Sequence, residues 1–95
     1  MKNFMKEAQK LQSKILEQLR AIRVEGSAGG GMVRVEMDGE QNVHAVKIEP
    51  QVLEEKDVAM LEDLIVAAFS DARRQILEKT QESIRSITGL PLPRF

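Results

Sequence analysis

The chain has 95 residues, of which 42% are hydrophobic and 31% charged, and its formal net charge is −1. A chain of this length forms one domain that buries only about 60–65% of the surface its unfolded form exposes, so association with a second copy would stabilise it. The absence of cysteine excludes a disulfide framework and a thiolate metal site and favours an intracellular location. No apolar run approaches the roughly 20 residues of a membrane span, and the charged start is unlike a signal peptide, so we expect a soluble protein without a membrane partner.

Charge is distributed unevenly along the chain. Residues 1–23 contain six basic and two acidic residues, for a net charge of +4. Residues 24–57 contain three basic and eight acidic residues, for a net charge of −5, and the remainder carries five of each sign. Positive charge is therefore concentrated at the start of the chain, where an anionic partner would bind best.

The first predicted helix covers residues 1–22, because its apolar residues recur close to the seven-residue spacing of a helix that packs against another helix. Four lysines lie four residues apart on this helix, each displaced only about 40° from the last, and together they form what we call the lysine stripe: Lys2, Lys6, Lys10 and Lys14. Lysines on an outer helix face are usually just solvated. Like charges at this spacing, however, destabilise a helix by roughly 0.2–0.5 kcal/mol per pair, so the stripe is a modest indication of an anionic partner.

A three-stranded antiparallel meander is predicted next, with strands at about residues 22–27, 32–38 and 43–49. The glycine-rich segment 26–31 lacks the Lys-Ser/Thr pair and the following helix of a phosphate-binding loop, so we interpret it as a hairpin turn whose glycines adopt positive φ. His44 is the only histidine, and no arranged carboxylate partner is evident in the sequence. His44 therefore indicates neither a metal site nor a general base, and we expect it to have a structural or surface role.

A long amphipathic helix is predicted over about residues 57–88, with Asp57 as the N-cap and Gly89 and Pro91 at its end. At 1.5 Å per residue it spans roughly 45 Å, which strands of about 20 Å cannot cover. We therefore expect helix ends to project beyond the sheet or to be covered by a second chain. The tail, residues 89–95, is predicted to be extended because it contains two prolines.

No catalytic constellation is evident. The adjacent carboxylates Glu54-Glu55 and Glu62-Asp63 point about 100° apart on a helix, so they do not converge on one substrate. Without a nucleophile, base, metal cluster or phosphate loop, we predict that the chain is not an enzyme and uses no cofactor.

The order of a helix, a glycine-turned meander and a long helix resembles the YbaB/EbfC family of bacterial nucleoid-associated proteins over nearly the whole chain. The resemblance is carried by Met5-Lys6-x-Ala8-Gln9-Lys10-Leu11-Gln12, by Val33-x-Val35 with Gly39, by Val46-x-Ile48-x-Pro50, and above all by Met60-Leu61-Glu62-Asp63-Leu64 and Ala67-Ala68-Phe69-Ser70-Asp71-Ala72. The chain departs from the family in its shorter C-terminal tail, in the absence of a glycine-rich lead and in Ser70, where Asn is common.

This resemblance implies a single α+β domain over residues 1–95 that forms a homodimer in the cytoplasm, at the nucleoid, with projecting helical arms that embrace duplex DNA. Contacts to the DNA backbone with little sequence specificity are expected from Lys6, Lys10 and Lys14, with Lys2 at the tip of the arm and Arg20 and Arg23 at its base. Arg73 and Arg74 are secondary candidates. Duplex is favoured over single strands because the chain has no Trp or Tyr and only three Phe to stack on bases. The alternative hypothesis is a helical protein-interaction module that serves replication or recombination proteins.

Overall fold

The structure is a computed structural model that describes residues 2–88. Its elements, in chain order, are α1 (Lys2–Ala21), β1 (Arg23–Ala28), β2 (Val33–Asp38), β3 (Val43–Ile48), α2 (Pro50–Glu54) and α3 (Val58–Thr88). The predicted order of a helix, an antiparallel meander and a long helix is confirmed, and the short helix α2 is an addition to it. The predicted extended tail lies outside the described residues.

The three strands form an antiparallel sheet in the order β1–β2–β3. In the central strand, Val35 lies opposite Gly26 of β1 and Val46 of β3, and the pairing of β2 with β3 is irregular between Glu36 and Met37. Residues directly opposite one another in an antiparallel pair point to the same face of the sheet. The side chain of Val46 therefore lies on the same face as that of Val35.

The turn between β1 and β2 depends on glycine. Gly29, Gly30 and Gly31 have φ angles of 63°, 67° and 92°. A Cβ atom on Gly30 or Gly31 would meet no atom within 4 Å, so backbone conformation and not space is the reason for glycine at these two positions. The interpretation of this segment as a hairpin turn is confirmed.

The core lies between α3 and the half of the sheet formed by β1 and β2. Its buried residues are Val24, Val33, Val35, Met37, Ala68, Ala72 and Ile76. The two alanines allow α3 to approach β1 so closely that a Cβ atom on Gly26 would lie 2.7 Å from the Cβ of Ala72, and closer still to backbone atoms of Ala68 and Ala72. Glycine is therefore required at position 26 by helix packing.

Polar side chains hold α3 at its start and along one flank. Asp57 Oδ1 accepts a hydrogen bond from the Met60 N–H at 3.0 Å, which confirms the predicted N-cap. Farther along, Asp71 Oδ2 accepts from the Ser27 N–H at 2.9 Å, and Gln75 Nε2 donates to the Glu25 carbonyl at 3.0 Å. These two contacts satisfy backbone groups on the outer edge of β1, which leaves β3 as the open edge of the sheet.

The apolar face of β3 is only partly covered. Because α3 packs over β1 and β2, Val43, Val46 and Ile48 remain 44%, 43% and 37% exposed. The described part of the molecule is elongated, with extents of 64 × 24 × 16 Å. One chain therefore leaves apolar surface uncovered beside its own core.

Candidate nucleic-acid interface

The lysine stripe lies on an exposed helix. All residues from 3 to 14 of α1 are exposed, and this stretch includes Lys6, Lys10 and Lys14. Successive lysines advance about 6 Å along the helix axis and rotate by about 40°, so the three ammonium groups follow one side of α1. Within residues 2–88 none of the three forms an ion pair. Their charge is therefore available to an external anion.

The two arginines near the end of α1 differ in their availability. Arg20 Nε donates a hydrogen bond to Glu40 Oε1 at 2.9 Å, so Glu40 already neutralises part of its charge. Arg23, the first residue of β1, is exposed and has no ion pair among the described residues. Both arginines continue the basic surface toward the sheet, but Arg23 is the more available of the two.

The arginines of α3 also differ. Arg74 lies 2.6 Å from Asp71 and 3.3 Å from Glu78, and its hydrogen bond with Asp71 is the main reason that its pKa is raised. The pKa of Asp71 is lowered in turn, first by the Ser27 N–H and then by Arg74. Arg73 is exposed and has no ion pair within residues 2–88. Arg74 therefore belongs to an intrahelical charge network, whereas Arg73 presents a free cation.

The turn between β2 and β3 is built around Asp38, whose side chain is only 8% exposed. Its carboxylate accepts backbone hydrogen bonds from Glu40 at 2.9 Å and Asn42 at 3.0 Å, and a side-chain bond from Asn42 at 3.3 Å. His44 Nε2 lies 2.7 Å from Asp38 Oδ2, so a carboxylate partner that the sequence alone did not reveal gives His44 a structural role in this turn. The hydrogen bond with His44 is the main reason that the pKa of Asp38 is lowered to about 2. This pair stabilises a turn and lies apart from the lysine stripe.

Replacement of Asp38 by Asn is expected to make the free energy of unfolding depend less steeply on pH under acidic conditions. The carboxyl group titrates near 3.8 when unfolded and near 2 when folded, so its stabilisation is complete above about pH 4 and is lost as the pH falls toward 2. Chemical unfolding between pH 7 and pH 2 measures this dependence. Asp71, whose pKa is also lowered, contributes to the slope that remains. An unaltered slope in Asp38→Asn would contradict the assignment.

Other surface features are less suited to phosphate. A cavity of about 420 Å³ is lined by Met32, Gln51, Val52, Glu54, Glu55 and Met60. Its two glutamates have the same sign of charge as DNA, which disfavours DNA there. Among residues 2–88, no group of three or more His, Asp or Glu side chains is placed to hold a metal ion, and no helix is long and apolar enough to cross a bilayer.

Comparisons with known proteins identify the family and the fold. The model of the YbaB/EbfC DNA-binding family matches residues 1–90. A nucleoid-associated protein from Legionella pneumophila (strain Corby) is 47% identical over 95 residues, which cover 96% of this chain and 84% of the relative. A nucleoid-associated protein from Dictyoglomus turgidum is 47% identical over 93 residues, which cover 94% and 89%. The crystal structure of an uncharacterized protein from Helicobacter pylori has the same fold, with a TM-score of 0.75, 20% identity, and coverage of 90% of this chain and 89% of that one.

Proposed function

The chain belongs to the YbaB/EbfC DNA-binding family, and we propose that it acts at the nucleoid, in the cytoplasm, as a homodimer that binds duplex DNA through the sugar-phosphate backbone. The observation that carries this proposal is the run of lysines at positions 6, 10 and 14 of α1, which are exposed and have no ion pair within residues 2–88. Lys2, the first residue of α1, and Arg23, the first residue of β1, are further candidate contacts in this proposal. In this proposal α1 is the arm that contacts DNA.

The spacing of the lysines suits a duplex. The phosphates of one strand wind around the duplex while they advance about 3.4 Å along its axis per nucleotide. The lysines advance about 6 Å per step along α1. Because a lysine side chain is long and flexible, consecutive lysines can reach neighbouring phosphates of the backbone. Contacts of this kind position the protein without reading the bases, which accounts for low sequence specificity.

The arginines have secondary roles in the proposal. Arg23 and Arg73 are free of ion pairs within the described residues and can approach phosphates directly. Arg20 is paired with Glu40, and Arg74 is paired with Asp71 and Glu78. Each of these two arginines has to exchange a carboxylate for a phosphate before it can bind DNA. We therefore expect the lysines to supply most of the binding energy.

The homodimer in this proposal uses the uncovered apolar face of β3. Asp71 and Gln75 fix the side of α3 that faces the edge of β1, so residues on the opposite flank of the helix point toward β3. That flank includes Val66 and Leu77, which are 65% and 55% exposed. We define the β3–α3 surface as the apolar surface formed by Val43, Val46, Ile48, Val66 and Leu77.

A second copy of the chain is the occupant that this surface fits best. The five side chains that define it are all apolar, and the exposed Arg73, which lies on the same flank of α3 between Val66 and Leu77, adds one positive charge beside them. An isologous pair would bury the same apolar surface from both chains, which is how twofold dimers form. Dimer formation also places two arms on one particle, which multiplies a set of weak phosphate contacts.

The first test is duplex binding by the unmodified protein at several salt concentrations. If three lysines on each of two arms reach phosphates, log affinity falls against log salt with a slope near −5, and affinity drops about 10³-fold between about 50 and 200 mM salt. Fluorescence anisotropy with duplexes of unrelated sequence measures the slope, and we expect similar values for all of them. A single strand of equal length is the comparison, and we expect it to bind less tightly. An absence of binding at the lowest salt would refute the proposal.

A protein-interaction module for replication or recombination proteins is the second candidate function. The observation in its favour is the exposure of Leu53 and Val58 close to Glu54 and Glu55, which together form an apolar patch with an acidic rim. Such a patch suits a basic protein segment and not DNA. Duplex binding that is absent at low salt, or that does not weaken with salt, would favour this candidate.

A further inference from the structure

We propose that the turn between β2 and β3 positions α1 for DNA binding, and that Gly39 is the positioning residue on which this depends. The inference rests on the proposed function of the lysine stripe. It assigns a role in DNA binding to a residue that carries no charge and lies on a different element from the lysines.

The contact itself is a close approach between two backbones. The Gly39 N–H donates a hydrogen bond to the Leu19 carbonyl at 3.0 Å. A Cβ atom on Gly39 would lie 2.9 Å from the Leu19 carbonyl carbon, 3.0 Å from its Cα, and closer still to its oxygen. Gly39 does not have a positive φ, so its own conformation accepts alanine. The three heavy atoms nearest to the place of the methyl group all belong to the backbone of Leu19.

This contact caps the end of α1. The last four carbonyl groups of a helix lack partners within the helix, and that of Leu19 is one of them. It accepts hydrogen bonds from the Ile22 N–H at 3.2 Å and from Gly39, and Arg20 adds its ion pair with Glu40. Two consecutive residues of the turn thus hold two consecutive residues at the end of α1.

The turn is rigid enough to serve as a platform. The Asp38 carboxylate ties together the backbone N–H groups of Glu40 and Asn42 and the ring of His44. Two backbone bonds close the loop, from Asp38 N to the Asn42 carbonyl at 3.0 Å and from Gln41 N to the Asp38 carbonyl at 2.9 Å. A small displacement at Gly39 is therefore not absorbed within the turn but is passed to α1.

A displacement at the end of α1 grows along the helix. Of the side chains from residue 3 to residue 21, only Ile15 and Leu19 are partly buried, so little else restrains the direction of α1. Lys6 lies 13 residues from Leu19, or roughly 20 Å along the axis. A tilt of about 10° moves it by roughly 3.5 Å, which is about the rise per nucleotide along the axis of a DNA duplex. The turn therefore determines whether the lysines of the two arms can meet phosphates at the same time.

The experiment uses Gly39→Ala in the full chain, with two readouts. The first is duplex affinity, which we expect to fall by about tenfold or more, with a shallower salt slope because fewer phosphates are neutralised. The second is the distance between spin labels on Gln9→Cys in α1 and Glu25→Cys in β1. The chain has no other cysteine, so labelling is specific, and dilution with unlabelled protein isolates distances within one chain. We expect the distance to shift or its distribution to broaden.

Gly30→Ala is the matched control. It introduces the same methyl group and strains a glycine of positive φ, but in the turn between β1 and β2. A Cβ atom at this position would have no neighbouring atom within 4 Å. We expect it to lower thermal stability while the label distance and duplex affinity of the folded protein stay unchanged. If Gly39→Ala does not fold, Glu40→Gln removes the ion pair with Arg20 without added bulk, and the label distance should broaden.

The outcomes separate this inference from the proposed function. A folded Gly39→Ala protein, or a folded Glu40→Gln protein in its place, with the distance distribution of the unmodified chain would overturn the positioning role. A changed distance with unchanged DNA affinity would overturn its role in binding while leaving the lysine stripe intact. A failure of the proposed function would appear instead as charge-reversed lysines that bind DNA like the unmodified chain.

Discussion

A variant with Lys6→Glu, Lys10→Glu and Lys14→Glu is expected to lose duplex affinity by at least about a hundredfold at about 50 mM salt, and to lose most of its salt dependence. The reason is that each lysine that meets a phosphate releases condensed counterions, and a glutamate at the same position repels the phosphate instead. On a dimer the substitutions remove six contacts at once. Anisotropy titrations at several salt concentrations measure both quantities.

The control for this variant separates local contacts from total charge. Lys6→Glu with Lys10→Glu lowers the net charge from −1 to −5, and so does Lys47→Glu with Lys56→Glu, since each substitution changes the charge by two. Lys47 and Lys56 lie outside α1, on β3 and immediately after α2. We expect the α1 pair to weaken binding far more than the control pair. Equal losses would mean that net charge and not the arm governs affinity.

The substitutions should leave the fold intact, because exposed lysines at positions 6, 10 and 14 make no ion pair within the described residues. Far-UV circular dichroism and thermal unfolding verify this before binding is compared. A folded triple variant that binds duplex as tightly as the unmodified chain would show that the lysine stripe is only a solvated helix face. This result would favour the protein-interaction hypothesis over DNA binding.

Local signals in the sequence account for the features that could be predicted. The α+β element order follows from alternating residues in β2 and from apolar steps of three and four along α3, and the capping role of Asp57 follows from its place before that helix. The glycine-rich turn is likewise determined by residues next to one another. The lysine stripe needs only helical spacing to be recognised, because it lies on one element.

The features that could not be predicted join residues far apart in the chain. The hydrogen bonds between α3 and the outer edge of β1 join residues that are separated by 44 and by 50 positions in the chain. The end of α1 contacts a turn that comes 20 positions later. Periodicity carries no information on such pairs, which depend on how the elements pack. For the same reason the sequence does not show which of the eight basic candidates already have a carboxylate partner, whereas the structure pairs Arg20 and Arg74 with carboxylates. The short helix α2 spans only five residues, too few for a periodic pattern.

Val46→Glu is expected to convert the proposed dimer into a folded monomer of about half the mass. A carboxylate at the centre of the β3–α3 surface would be buried without a partner when two copies associate, and this cost strongly opposes association. In the single chain the same side chain is 43% exposed, so the core formed by α3, β1 and β2 should remain intact. Sedimentation equilibrium measures the mass, against 10.7 kDa for one chain.

Loss of the dimer should weaken duplex binding more than loss of any single lysine. Two linked arms bind up to about 10²–10⁴-fold more tightly than one, because the second contact forms at a high effective concentration. Lys47→Glu is the control, since it adds a carboxylate to the neighbouring position on the opposite face of β3 and changes the net charge by two units instead of one. We expect this control to stay dimeric, because the new carboxylate faces Arg34 across the strand pair.

The combination of mass and affinity decides which part of the proposal holds. A Val46→Glu protein that remains dimeric would show that two copies meet on another surface. A folded monomer that binds duplex as tightly as the unmodified chain would show that one arm is sufficient, and the salt slope would then report three contacts and not six. We expect weak binding by a folded monomer and tight binding by the dimeric control. This result would follow if each chain contributes one lysine stripe and the β3–α3 surface holds the two stripes on opposite sides of a shared twofold axis.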